Sequence, residues 1–196
     1  MTDSRYPIAV LVSGSGSNLQ AIIDAAEQPG YAAEIVVVIS DRPDVKALDR
    51  ALTAGIATEV VAWSDFDSRE AFSAAICDVA DHHRAEALVL AGFMRVLAMI
   101  AIERFPHRII NIHPSLLPSF PGAHAVRDAL AHGVTVSGVT VHYVDEEVDH
   151  GPIIYQEAVA VLPDDDEATL HTRIQEVEHR IYPGVVDALG SGALPR

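Results

Sequence analysis

The sequence has few of the residues on which several classes of protein depend. Only one of its 196 residues is a cysteine, Cys77, so no internal disulfide can form and nothing indicates an oxidising compartment. Only one is a lysine, Lys46, and 13 basic residues stand against 28 acidic ones, a net charge of −15. Nucleic acids and anionic membranes are bound through positive charge, so this balance argues against both partners.

Long apolar runs are also missing. The run at residues 8–12 is too short for a signal-peptide core, and the stretch at 87–102 is interrupted by Gly92 and Arg95. That stretch is also shorter than the roughly 18 residues of a membrane span. A cytoplasmic location is therefore expected. A chain of this length can bury about 70% of its unfolded surface, which is enough for one domain without a structural metal.

Short apolar runs alternate with segments of helical spacing in the first two thirds of the chain. Segments with helical periodicity follow Asn18 and the predicted N-cap Ser68. This alternation predicts a doubly wound, mostly parallel, Rossmann-like α/β sheet. The predicted buried strands, rich in Val, Ile and Leu, are residues 8–12, 34–40, 58–62, 87–91 and 108–112.

The pattern changes after about residue 133. Two extended stretches, 135–144 and 151–161, are separated by a short acidic segment and predict antiparallel strands at the edge of the sheet. A closing helix is predicted at 167–189, with Pro183 expected to kink it. No linker or repeat interrupts the chain, so residues 1–196 are expected to form a single domain.

The turn after the first predicted strand, residues 13–18 (SGSGSN), is rich in glycine and serine. Such a turn lets backbone N–H groups and a helix N-terminus face a phosphate. A dinucleotide fingerprint would need a glycine where Leu19 stands, and no lysine follows as in a P-loop. Two alternatives remain: a site for one phosphomonoester at Gly16, Ser17 and Asn18, or an ordinary turn in which Ser17 or Asn18 caps the helix.

Asn111 and His113 lie two residues apart at the end of a predicted strand, so their side chains leave the same face. The carboxyl ends of parallel strands are where open α/β sheets bind ligands. An amide beside an imidazole can stabilise an oxyanion and transfer a proton. The alternative is that both side chains are structural and bond to loop carbonyls.

The acidic segment at residues 145–149 also has two interpretations. It is either a solvated hairpin turn, or Asp149 reaches a histidine and raises the pKa of that imidazole. His150 would then be a second titrating group beside Asp149. A metal site made of His113, His142, His150 and Asp149 is disfavoured because no closely spaced histidine pair supports it. Cys77 is expected to be a buried small apolar residue.

In combination these motifs resemble the folate-dependent formyltransferases, nearly from end to end. Residues 90–97 (LAGFMRVL) and 111–118 (NIHPSLLP) are specific to that family as a whole. The Gly-Ser-Asn at residues 16–18 narrows the resemblance to the branch that acts on glycinamide ribonucleotide. Residues 10–14 and 178–183 extend it to both ends of the chain. The resemblance implies the formyltransferase fold, a parallel sheet with antiparallel edge strands.

The resemblance also implies a role for individual residues. Asn111, His113 and Asp149 fall on the family's catalytic triad, with Asp149 raising the pKa of His113 and His142 in support. Gly16, Ser17 and Asn18 match the ribonucleotide phosphate loop, and Glu178 matches a contact to the glycinamide part. The residues that the resemblance assigns to folate binding are Arg69, Met94, Arg95, Val96, Leu97 and Asn111.

The implied reaction moves a formyl group from 10-formyltetrahydrofolate to the amine of glycinamide ribonucleotide in purine synthesis. The folate is a cosubstrate, no metal is required, and the expected partners are these small molecules, bound by a monomer or homodimer. The phosphate loop would lie in a first half, about residues 1–100. Catalysis and folate binding would lie in a second, about residues 101–196.

Three other functions compete with this one. Methionyl-tRNA formyltransferase and formyltetrahydrofolate hydrolase share the Asn-x-His-Pro chemistry, but each is expected to carry an additional domain for which this chain has no room. A non-catalytic phosphosugar-binding module would keep residues 16–18. It would have no reason to retain Asn111, His113 and Asp149 together.

Overall fold

A computed structural model describes residues 5–194 of the chain, so residues 1–4 and 195–196 of the predicted domain lie outside the described residues. The strands are β1 (Tyr6–Val12), β2 (Ala33–Ser40), β3 (Thr58–Val60), β4 (Ala87–Leu90), β5 (Ile109–His113), β6 (Val136–Tyr143) and β7 (Ile153–Ala160). The α-helices are α1 (Ser17–Ala26), α2 (Lys46–Thr53), α3 (Arg69–His82), α4 (Met99–Arg104), α5 (Ala125–His132) and α6 (Glu167–Gly190).

The described strands form one sheet in the order β3-β2-β1-β4-β5-β6-β7. The first five in this order are parallel, while β6 runs antiparallel to β5 and β7 antiparallel to β6. The predicted fold class is therefore confirmed, including the antiparallel pair at the edge. The sequence patterns did not assign α2, α4 and α5, because helices of six to eight residues carry too few turns to show a clear period.

Helices cover both faces of the sheet, and the residues of β1 alternate between two cores. Ile8, Val10 and Val12 pack with α1, α2 and α6, whereas Ala9 and Leu11 pack with α3 and α4. This explains why the central strands β1 and β4 are continuously apolar, since neither of their faces meets water. Cys77 is fully buried in the second core, as predicted, and burial raises the pKa of its thiol to about 11.

The closing helix α6 spans the predicted residues and begins with a capping box. The Asp166 carboxylate accepts from the Thr169 N–H, and the Thr169 hydroxyl accepts from the Asp166 N–H. Farther along, the buried Tyr182 hydroxyl donates to the Leu90 carbonyl over 2.8 Å. This contact ties α6 to the carboxyl end of β4, where the candidate site lies.

Candidate active site

A cavity of about 230 Å³ opens at the carboxyl ends of β4 and β5. Asn111, His113 and His142 line it, together with the acidic loop at residues 145–149 that includes Asp149. Of the side chains assigned to folate, Met94, Arg95, Val96, Leu97 and Asn111 line the same cavity. Arg69, the exposed first residue of α3, is not among the lining residues.

His113 and Asp149 come together at one end of this cavity. His113 Nδ1 lies 3.3 Å from Asp149 Oδ2, and His113 Nε2 lies 2.9 Å from the Phe120 carbonyl oxygen. Both ring nitrogens thus face acceptors, which only the imidazolium form satisfies. Burial lowers the pKa of His113, against the opposing effects of the Asp149 charge and the Phe120 carbonyl.

The net shift in the pKa of His113 is therefore opposite to the predicted rise. The effect of Asp149 has the predicted direction, but loss of water around the ring outweighs it, so the pKa of His113 lies below its usual value. The chain pattern could locate the carboxylate but could not show how deeply the imidazole is buried.

Asp149 has its own supports. Burial alone would raise its pKa, but the His142 ring, whose Nε2 lies 3.7 Å from Asp149 Oδ1, the hydrogen bond from the Gly122 N–H and the charges of both histidines when protonated lower the pKa below the usual value. The Gly122 N–H donates to Asp149 Oδ2 over 2.7 Å. The backbone of Asp149 lies in the left-handed region, at a φ of 52°, a conformation that non-glycine residues rarely adopt.

Asn111 is oriented by His142, its partner in the register between β5 and β6. His142 Nδ1 donates to the Tyr143 carbonyl over 2.8 Å, so in the neutral ring Nε2 is left as an acceptor. Asn111 Nδ2 donates to that nitrogen over 3.2 Å and to Asp149 Oδ1 over 3.5 Å. The amide therefore presents its nitrogen, the donor side, toward the carboxylate and the imidazoles.

The loop after His113 is fixed from behind by two residues that the sequence patterns did not single out. The buried Thr140 hydroxyl donates to the Ser115 carbonyl over 2.7 Å and accepts from the Leu117 N–H over 3.0 Å. Gln156 Nε2 donates to the Leu117 carbonyl over 2.8 Å. No local motif carries this signal, because Thr140 and Gln156 lie on β6 and β7, far from the loop in sequence.

The glycine-rich loop follows β1 as predicted. Gly16, in the left-handed region at a φ of 69°, is the N-cap of α1, and the helix begins at Ser17. The alternative in which Ser17 or Asn18 caps the helix is therefore not observed. Instead, Asn18 Nδ2 donates to Glu178 Oε2 over 3.0 Å, a contact between residues 160 positions apart.

Glu178 and Asn18 are both buried beside this loop, Glu178 with 5% and Asn18 with 8% of its surface exposed. Burial raises the pKa of Glu178 to about 7, and the hydrogen bond from Asn18 offsets part of that rise. Asn18 Oδ1 is buried and has no hydrogen-bond partner among residues 5–194. Asn18 Oδ1 is thus an acceptor that a hydroxyl or ammonium group of a ligand would satisfy.

Arg95 is less available than the sequence implied. Its Nε donates to the buried Asp41 carboxylate over 2.7 Å, and its guanidinium carbon lies 5.1 Å from the centre of the Trp63 ring. The charge of Arg95 is therefore already paired. His150 also differs from expectation, because its Nδ1 lies 2.9 Å from Asp145 Oδ2 rather than beside Asp149.

Two further observations concern metals and membranes. Within residues 5–194, no group of three or more His, Cys, Asp or Glu side chains is arranged to hold a metal ion. None of the helices in that range combines the length and apolar character required to cross a membrane.

The fold and the site have the features of a formyl-group transferase, and the comparisons with known proteins agree. The formyl transferase family profile matches residues 6–186. The chain therefore belongs to the formyl transferase family, which confirms the resemblance seen in the sequence.

Individual relatives narrow the similarity further. The chain is 44% identical over 187 residues to the phosphoribosylglycinamide formyltransferase of Escherichia coli, covering 95% of this chain and 88% of that protein. It is 50% identical over 198 residues to the trifunctional purine biosynthetic protein adenosine-3 of Drosophila pseudoobscura pseudoobscura, but spans only 14% of that protein's length.

A solved structure shows the same architecture. The glycinamide ribonucleotide transformylase 1 of Symbiobacterium toebii superimposes with a TM-score of 0.94 at 45% identity, covering 98% of this chain and 90% of that one. At this identity the likeness extends beyond the fold to much of the sequence.

Proposed function

We propose that the protein transfers the formyl group of 10-formyltetrahydrofolate to the amine of glycinamide ribonucleotide, a step of purine biosynthesis. The observation that carries the proposal is the meeting of Asn111, His113 and Asp149 in the cavity lined by residues 94–97. The Ser13 hydroxyl accepts from the Met94 N–H over 2.8 Å, so the glycine-rich loop adjoins this cavity. A ribonucleotide held by its phosphate at β1 could therefore reach a folate bound at β4 and β5.

The chemistry needs few groups. An α-amino group has a pKa near 8 in water, so a useful neutral fraction is present near neutrality. Attack of the amine on the formyl carbon forms a C–N bond and a tetrahedral oxyanion. Asn111 Nδ2 and protonated His113 donate to that oxygen, and one such donor is worth roughly 3–4 kcal/mol. The bond to the folate nitrogen then breaks and that nitrogen takes a proton from His113, while the amine proton passes to Asp149 through water.

The lowered pKa of His113 is compatible with this role. A negative oxygen forming within hydrogen-bond distance of the ring favours the imidazolium, because an opposite charge stabilises the charged form. Asp149 keeps a negative charge next to the ring until the amine proton reaches it. His113 therefore becomes a strong donor as charge develops in the transition state, where stabilisation raises kcat.

The remaining assignments are part of the same proposal. Gly16, Ser17 and Asn18 bind the phosphate, and Glu178 binds the glycinamide part through its buried carboxylate. The folate contacts are Met94, Arg95, Val96 and Leu97 in the cavity wall, with Arg69 near the folate, and Asn111. No metal takes part, and the chain acts as a single domain, as a monomer or a homodimer.

The test is an assay of the purified protein with 10-formyltetrahydrofolate, with and without glycinamide ribonucleotide. Release of tetrahydrofolate that depends on the ribonucleotide, together with formylated product, supports the proposal. Release without the ribonucleotide would indicate a hydrolase, and ribonucleotide binding with no release would indicate a binding module. Transfer to methionyl-tRNA instead of the ribonucleotide would also contradict it.

A further inference from the structure

The glycine-rich loop lacks any basic side chain, although a phosphate monoester carries close to two negative charges near neutrality. Residues 13–18 supply only glycine, serine and asparagine, and the whole chain has a net charge of −15. A helix N-terminus is equivalent to roughly half a positive charge, which does not neutralise a dianion. Some other cation must offset the phosphate if the loop binds it tightly.

Arg50, in the second turn of α2, contacts this loop. Its Nε donates to the Ser15 carbonyl over 2.9 Å, and its Nη1 donates to Gln20 Oε1 over 2.9 Å. The guanidinium therefore bridges the loop and the first turn of α1. Its Nη2 makes no hydrogen bond within the described part of the chain.

The position of α2 against the loop is fixed by two further contacts. The Ala47 N–H donates to the Gly14 carbonyl over 3.1 Å. A Cβ atom added at Gly16 would lie 2.7 Å from the Ala47 Cβ, so Gly16 permits a closer approach than other residues allow. These contacts hold α2 against the loop and therefore keep Arg50 next to it.

An imidazole on α6, that of His179, lies within reach of the charge of Arg50. His179 follows Glu178, and its buried Nε2 has no hydrogen-bond partner among the residues described. Burial, followed by the charge of Arg50, lowers the pKa of His179, so the two side chains are close enough to repel one another when both are protonated. An arginine that contacts the loop and an unpaired imidazole that its charge reaches are an arrangement that an anion would relieve.

From these contacts we infer that Arg50 determines specificity for the 5′-phosphate of the ribonucleotide. The guanidinium holds the Ser15 carbonyl, and with it the orientation of the loop N–H groups, and supplies the positive charge that the loop itself lacks. The inference rests on the proposed function for the identity of the substrate. It adds a residue outside the loop that discriminates a phosphorylated from a dephosphorylated sugar.

The experiment compares Arg50→Gln and Arg50→Lys with the wild type on two substrates, glycinamide ribonucleotide and its dephosphorylated nucleoside. Because a hydrogen bond to a charged group is worth about 1.5–3 kcal/mol, we expect Arg50→Gln to raise KM for the ribonucleotide roughly 10- to 100-fold. The KM for the nucleoside should change less than about twofold, since the nucleoside has no phosphate to lose contact with. Arg50→Lys should recover part of the loss by restoring the charge.

A matched control is Arg5→Gln. It removes the same charge and a guanidinium–carbonyl hydrogen bond, to Ala26 at the opposite end of α1. That variant should leave both KM values unchanged. Equal losses on both substrates in Arg50→Gln would show that Arg50 is only structural, and no loss on either would remove the inference altogether.

Direct binding separates this inference from the proposed function. Binding of ribose 5-phosphate, measured calorimetrically without any folate, should weaken in Arg50→Gln by the same factor as KM and be insensitive to Arg5→Gln. A wild-type protein that binds ribose 5-phosphate through Arg50 yet fails to formylate the ribonucleotide would overturn the function and leave the inference standing. A wild-type protein that does not bind ribose 5-phosphate would overturn the inference.

Discussion

The two ends of the site differ in how completely their polar groups are paired before any substrate binds. At the end that we propose to be catalytic, both ring nitrogens of His113 and both carboxylate oxygens of Asp149 have partners within 3.5 Å. At the end that we propose to bind the ribonucleotide, Asn18 Oδ1 and His179 Nε2 are buried and unpaired within residues 5–194, and burial raises the pKa of Glu178 to about 7.

This difference in pairing predicts different roles for the two ends, binding at one and catalysis at the other. An unpaired buried polar atom costs about 1–3 kcal/mol, and a ligand that pairs it recovers that cost as binding energy. Groups that are already fixed by one another, such as His113 and Asp149, need no rearrangement as charge develops. We therefore expect changes at the catalytic end to lower kcat, and changes at the ribonucleotide end to raise KM and alter the stability of the empty protein.

The largest effect is expected at the catalytic end. His113→Ala and Asp149→Asn should each lower kcat by about 10²- to 10³-fold, because each removes or disorients a donor to the oxyanion. The KM for the ribonucleotide should change less than about threefold, as this end does not hold the phosphate. Steady-state kinetics with His171→Ala, an exposed histidine on α6, as control would test this. Losses confined to KM would contradict the catalytic assignment.

The next largest effect is a loss of stability on replacing a glycine, and it should differ between the glycine-rich loop and the loop that carries Asp149. A Cβ at Gly151 would lie 1.9 Å from the Tyr143 carbonyl oxygen, whereas a Cβ at Gly14 would meet nothing within 4 Å. Gly151→Ala should therefore lower the free energy of unfolding by about 3 kcal/mol or more, and Gly14→Ala by less than about 0.5 kcal/mol. Denaturant unfolding measures both. Similar losses for the two variants would show that the Asp149 loop is not the more tightly constrained one.

Burial of Glu178 should make the stability of the protein depend on pH. Its pKa is about 7 when folded and 4.5 ordinarily, so the folded state binds the proton more tightly than the unfolded chain. The free energy of unfolding should therefore fall as pH rises from about 4.5 to 7, by an amount on the order of 3 kcal/mol. Glu178→Gln should abolish this fall and make the empty protein more stable at pH 8 than the wild type.

The same variant should weaken substrate binding. Loss of the carboxylate should raise KM for the ribonucleotide about tenfold, with a smaller change in kcat. Urea unfolding at pH 5 and pH 8, with the exposed Glu176→Gln on the same helix as control, separates the two effects. An unchanged pH dependence in Glu178→Gln would show that this carboxylate is not held in its neutral form by burial.

The smallest effect is expected from His150, which is exposed and pairs with Asp145 across the loop that carries Asp149. The hydrogen bond that protonated His150 donates to Asp145 raises the pKa of His150 above its usual 6.5, so the pairing is fully present below pH 6.5 and is lost as pH rises through the higher folded value. His150→Gly should raise KM for the folate no more than about threefold at pH 6 and leave it unchanged at pH 9. A kinetic pH profile measures this, and an equal effect at both pH values would exclude the ion pair as its cause.

Local pattern predicted the parallel strands, the antiparallel edge and the closing helix, because continuous apolar runs and helical periodicity report burial along one element. It placed Asn111 and His113 on one strand end for the same reason. The role of Asp149 came from resemblance, and its contact with His113 is now observed at 3.3 Å. The resemblance predicted Arg95 near the folate. It did not predict the pairing of Arg95 with Asp41, because no local pattern links residues 54 positions apart.

The sequence by itself determined the fold class, the family and the candidate site residues, because these depend on residue type, spacing and short motifs. Tertiary structure alone decided the electrostatics of the site: the lowered pKa of His113, the raised pKa of Glu178 and the delivery of Arg50 to the glycine-rich loop. Each depends on burial and on partners brought together by strands and helices distant in sequence, and charges respond to distance and solvent rather than to position along the chain.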